Sequence, residues 1–129
     1  MTSRAADWFE RALRDLEQAE SSRRDGRHEW ACFAAQQAAE KVVRSVHLSL
    51  AQDAWGHVVA RLLNELPVDV LADLVEKAKV LDGFSIPTRY ANSHAEGPPS
   101  EHFVVIHSDE PLRYAREIIE FARPYVAAA

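Results

Sequence analysis

Apolar residues recur three and four positions apart along most of this chain, a spacing that predicts helices. Phe9, Leu13 and Leu16, continued by Glu20, flanked by Ala12 and Ala19 and widened by Trp8, predict a first helix over about residues 5–23. Asp7 and Glu10 near its start and Arg23 and Arg24 near its end suit the helix dipole. Gly26 breaks the run. Trp30, Phe33, Ala34, Gln37, Ala38, Lys41, Val42 and Val46 predict a second, central helix over about 27–51. Its alanines at 31, 34, 35, 38 and 39 let a neighbouring helix approach closely. A third helix is expected over about 57–66, with Val58, Leu62 and Leu66 inward and Pro67 ending it. A fourth is expected over about 68–81, with Val70, Leu71, Leu74, Val75, Ala78 and Leu81 inward. A fifth is expected to begin with Ser108 or Asp109 as N-cap, with Pro111 in its first turn. It continues through Leu112, Ala115, Ile118, Ile119, Ala122 and Val126, and Pro124 is expected to kink or end it.

The pattern fails between residues 83 and 108, where Pro87, Gly97, Pro98 and Pro99 fall. Long loops in compact domains are usually functional or disordered. Phe84, Ile86 and Tyr90 give this one something to bury, which predicts an ordered loop held against the bundle. The apolar run from Phe103 to Ile106 is read as extended chain packing on the helices. The fold class expected is therefore all-α: an antiparallel, up-down bundle of four to five helices, with a long ordered loop before the last.

A length of 129 residues predicts one domain over 1–129, and 47% hydrophobic residues are enough for a core. The net charge of −5 gives no global basic footprint, so any RNA site must be local or assembled from two subunits. Cys32 is the only cysteine. It excludes an internal disulfide and fits a reducing cytosol, and its neighbours Ala31, Phe33 and Ala34 predict an inert buried thiol. No signal peptide is read, and no apolar run approaches the ~20 residues that span a membrane. A cytoplasmic protein is expected.

The six histidines show no ligand spacing, and no cysteine cluster or glycine-rich phosphate loop is present. No metal and no cofactor are expected. Gln36, Gln37, Glu40 and Lys41 set amides and charges beside the alanine face, either as a helix–helix hydrogen-bond network or as a ligand site. The densest chemistry lies in the loop, where Arg89 and His94 have R-x4-H spacing with Tyr90 and Asn92 between them. RNA cleavage by its own 2′-hydroxyl needs a base near neutrality, which an imidazole supplies. It also needs charge stabilisation at the phosphate, which a guanidinium supplies through its planar fork. Asn92 could orient phosphate or imidazole, and Tyr90 could stack on a base. The competing reading has Arg89 clamping the loop and His94 merely solvated.

Three segments together resemble the HEPN superfamily (the higher eukaryotes and prokaryotes nucleotide-binding domain) in its small stand-alone prokaryotic form. One is Trp8 with a first helix ending in Arg24-Asp25-Gly26. Another is the run from Glu29 to Lys41, with Trp30, Phe33, Gln36, Gln37 and Glu40. The last joins Trp55-Gly56-His57 to the run from Leu81 to Tyr90. The resemblance implies a homodimer. It implies that Arg89 and His94 carry the R-x4-6-H motif near the dimer seam, where two copies form one metal-independent RNase centre. Ala91-Asn92 stands where this branch has Pro-Asp. The resemblance also implies a place beside a minimal nucleotidyltransferase, as toxin and antitoxin. Three functions follow: an endoribonuclease leaving 2′,3′-cyclic phosphate ends, a non-catalytic module binding a nucleotide or a nucleotidyltransferase partner, or a structural dimerisation domain.

Overall fold

The computed structural model describes residues 4–85 and 108–127, and every regular element among them is a helix. α1 is Arg4–Arg24, α2 His28–Ser49, α3 Val59–Asn64, α4 Ala72–Asp82 and α5 Asp109–Ala127. The expected all-helical bundle is the fold observed, with five helices among the described residues. The expected ordered loop before the last helix lies largely outside the described residues; of its anchors, Phe84 is half-buried.

Alanine decides how α1 meets α2. The buried residues of α1 are Ala5, Ala12, Ala19 and Ser22. Ala12 and Ala19 share one core cluster with the buried Ala31, Ala34, Ala35, Ala38 and Ala39 of α2. Small side chains on both helices bring the two backbones close. The larger residues expected to form the inward stripe of α1, Phe9, Leu13 and Leu16, are only partly buried beside that seam. Lys41 ties the helices through Asp15 at 2.5 Å. Between them, Gly26 adopts a φ of +76°, and its N–H donates to the Arg23 carbonyl while that of Arg27 donates to Ser22. These two bonds and the left-handed glycine form a Schellman closure, which turns α2 antiparallel to α1.

α2 contacts each of the other helices among the described residues. Val42, Val43 and Val46 join Leu62 and Leu63 of α3, Leu81 of α4, and Leu112, Ile118 and Ile119 of α5 in one core. His47 is buried among them and donates from Nε2 to the Leu62 carbonyl at 2.8 Å. Lys77 of α4 meets Glu117 of α5 at 3.0 Å and its own helix's Asp73 at 2.8 Å.

Four boundaries differ from the pattern-based expectation. α2 ends at Ser49 because Ala51 turns left-handed, at φ +58°. α3 starts at Val59, so Val59 is buried and Val58 is exposed. α4 starts at Ala72, because the β-branched Val68 and Val70 and the intervening Asp69 favour extended chain; Leu71 is left exposed as its N-cap residue. α5 passes through Pro124 to Ala127. Pro124 lies in its last turn, where only one helical hydrogen bond is lost.

Candidate functional site

A polar corner forms where α2, the turn before α3 and the end of α4 converge. Gln36, Glu40 and Arg44 repeat at four-residue spacing and so line one face of α2. Arg44 reaches the turn and donates to the carbonyls of Ala54 and Gly56 at 3.1 and 2.8 Å. Gly56, at φ +86°, gives the turn its reversal. His57 follows and donates from Nδ1 to the buried Glu40 carboxylate at 3.2 Å. That bond leaves Nε2 of a ring that is 83% exposed facing solvent. Glu40 also lies 3.5 Å from Arg44.

Asp82, the last residue of α4, completes the corner. Its two carboxylate oxygens accept from the backbone N–H groups of Val59 and Ala60 at 2.8 and 3.0 Å. α3 has no side-chain cap of its own, and Asp82 supplies it from another helix. Burial raises the Asp82 carboxyl above its ordinary value; the two backbone hydrogen bonds oppose this, and the charge of Glu40 adds to it. The Gln36 amide nitrogen finds no partner within hydrogen-bond geometry, yet lies near enough to favour the Asp82 charge.

Two clefts open along α2. One, of about 460 Å³ between α1 and α2, has Trp30, Phe33 and Ala34 as its apolar floor and Asp15, Gln37 and Lys41 among its polar walls. Trp30 is 49% exposed and meets Phe33 edge-on, with ring centroids 6.4 Å apart. The other, of about 220 Å³, lies beside the turn and is lined by Arg4, Trp8, Arg44 and Trp55. The guanidiniums of Arg11 and Arg44 lie 5.2 and 5.5 Å from the centre of the Trp8 ring.

Arg89, Tyr90, Asn92 and His94, the residues read as catalytic and substrate-binding, lie outside the described residues. Ser85, four positions before Arg89, donates from Oγ to the Asp82 carbonyl at 3.1 Å. Cys32 is buried and its thiol is pushed up to about 12, chiefly by burial and then by Glu29. Among the described residues no group of three or more His, Cys, Asp or Glu could hold a metal ion, and no helix is long and apolar enough to cross a membrane. The Glu40–His57–Asp82 corner was missed by pattern reading. The Glu40/Arg44 spacing was visible, but its partners come from positions 54–57 and 82, which no local spacing links.

The HEPN domain family model matches residues 5–125. The crystal structure of TT1696 from Thermus thermophilus is 46% identical with a TM-score of 0.92, covering 96% of this chain and 99% of that one. The crystal structure of ST0689, described as an archaeal HEPN homologue, is 32% identical with a TM-score of 0.82, covering 97% and 99%. A HEPN domain protein from Thermotoga maritima is 30% identical with a TM-score of 0.76, covering 95% and 99%. Among curated proteins no match is found.

Proposed function

Because this chain belongs to the HEPN domain family, we propose that it is a homodimeric, metal-independent endoribonuclease of the toxin type, acting in the cytoplasm. The observation that carries the reading is the Arg89-x4-His94 pair. It stands just beyond Ser85, which is bonded to the end of α4. His94 serves as acid–base and Arg89 stabilises the charge that builds on the phosphate, with Tyr90 stacking on a base and Asn92 orienting the phosphate. The RNA 2′-hydroxyl attacks its own phosphorus, the 5′-oxygen leaves with a proton, and a 2′,3′-cyclic phosphate remains. Two copies double the cationic charge at the seam, which an acidic chain needs in order to hold RNA.

Dimerisation is supported by the face that α1 and α2 leave uncovered. Their alanine seam is closed within one chain, whereas Trp30 is half-exposed over the cleft that it floors with Phe33. A symmetric, isologous contact over the Trp30–Phe33 cleft covers it.

The net charge of −5 and the Ala91-Asn92 departure favour a second reading, a non-catalytic module for a nucleotide or a minimal nucleotidyltransferase. Incubating the purified protein with RNA in EDTA decides between the two. New 2′,3′-cyclic phosphate ends support the first; intact RNA at high protein concentration moves the assignment to the second.

A further inference from the structure

The turn Trp55-Gly56-His57 holds a large aromatic ring out in solvent on a braced frame. Trp55 is 76% exposed. Its backbone is nevertheless fixed on both sides, since Arg44 donates to the carbonyls of Ala54 and Gly56, and Glu40 holds His57. Ordering entropy that a ligand would otherwise have to overcome is therefore already spent in folding. The adjoining cleft of about 220 Å³ has Trp8 and Leu48 as apolar walls, Arg4 and Arg44 as cations and Asp53 as its carboxylate. Arg11 and Arg44 lie over the Trp8 ring, so cations gather on the Trp8 side of this cleft on a chain whose net charge is −5, while the far side of Trp55 adjoins Gln52, Asp53 and Glu65.

An exposed indole at the rim of a cleft that carries two guanidiniums is poorly matched to an apolar protein partner, which wants continuous apolar area. It matches a ligand that alternates flat rings with anions. We infer that the Trp55 turn and the cleft beside it bind single-stranded RNA, a base stacking on Trp55 and an adjoining phosphate meeting Arg4. Arg44 acts as a positioning residue, since its guanidinium is occupied by the turn. The inference rests on the RNA-directed reading above, but it concerns a contact surface of α1, α2 and the turn that is separate from Arg89 and His94.

The test titrates a short end-labelled single-stranded RNA with the full chain carrying His94→Ala, so that cleavage does not intrude, and reads fluorescence anisotropy. Adding Trp55→Ala is expected to weaken binding about tenfold or more, in line with a lost stacked base, and Trp55→Phe to restore most of it. Arg4→Gln is expected to lower the log–log salt slope by about one. Thermal melting should not move with Trp55→Ala, because the ring is exposed. Unchanged affinity in Trp55→Ala, no RNA binding by the parent, or a loss that accompanies conversion to monomer would each overturn the inference; the last would assign the turn to a contact between copies. The two proposals fail separately. Absence of cyclic phosphate products with the wild type overturns the nuclease reading while a Trp55-dependent affinity stands. Normal cleavage with a Trp55-independent affinity overturns the inference alone.

Discussion

The Asp82 carboxylate stands at the entrance to α3 and accepts the Val59 N–H at 2.8 Å. A helix of six residues is too short to persist by propensity alone, and its first N–H groups need acceptors. Asp82 provides one carboxylate for two of them. Asp82→Ala is expected to lower stability by about 1–2 kcal/mol, at the upper end for a lost cap. The check is a shift in the urea midpoint at constant slope, with hydrogen exchange faster at Val59 and Ala60 than in α2.

Ala51 carries strain of a different kind. Its φ of +58° closes the end of α2, with its N–H donating to Leu48 and that of Gln52 to His47. A left-handed residue with a Cβ costs roughly 1–2 kcal/mol, of which glycine gives back part through its looser unfolded chain. Ala51→Gly is expected to stabilise by about 0.5–1 kcal/mol, read as a higher melting temperature with unchanged helicity.

These two residues mark the limits of what patterning conveys. The central position of α2 was legible because its apolar and alanine positions cover more than one face. The core stripe of α5 was legible because Leu112, Ala115, Ile118, Ile119 and Ala122 repeat cleanly. In α1 the period was right, but the most buried positions are the alanines and not the leucines. Periodicity reports which face is inward, while close helix approach decides which residue reaches the centre of it. Val58 and Leu71 were misplaced because each stands one residue before its helix, where side-chain direction no longer follows the 3.6 period. The Asp82 cap and the Glu40–His57 bond join residues 22 or 23 and 17 positions apart, which is information carried by the tertiary fold alone. Arg89 and His94 needed no tertiary information to be noticed, since their spacing is local.

Cys32 gives a pH-dependent prediction. Its thiol is pushed from 9.0 up to about 12, mainly by burial. Native protein at pH 8 should resist iodoacetamide and react only after unfolding. The sign for stability follows from linkage: the folded state holds its proton to higher pH than the unfolded state does. Stability from this group is complete below about pH 9 and is lost as pH rises toward 12. Urea midpoints at pH 7.5 and 10 should therefore fall further for wild type than for Cys32→Ala, whose side chain does not titrate.

The proposed dimer face yields a charge-insertion test. Trp30 is half-exposed in one chain and, with Phe33, floors the cleft between α1 and α2. Aromatic residues central to an interface commonly contribute about 2 kcal/mol or more. Trp30→Glu should turn a sedimenting dimer at micromolar concentration into a monomer, whereas Arg14→Glu, on an exposed residue of α1, should not. A wild-type protein that sediments as a clean monomer would refute the dimer outright.

Cleavage itself is tested at Arg89 and His94. With His94 as acid–base, His94→Ala should lower the rate by about 10²–10⁴-fold. Arg89→Ala should suppress cleavage as well, and Arg89→Lys should recover little, because a point charge does not replace the planar fork that meets two phosphate oxygens. The two losses should not add fully in the double variant, since both act on one transition state. Neither variant should change sedimentation or melting. EDTA should leave wild-type activity intact. Mixing His94→Ala with Arg89→Ala subunits separates the geometries: partial recovery is expected if Arg89 of one chain works with His94 of the other, in a centre shared across the seam. Equal cleavage by wild type and His94→Ala would remove the imidazole from the reaction and, with it, the nuclease assignment to this motif.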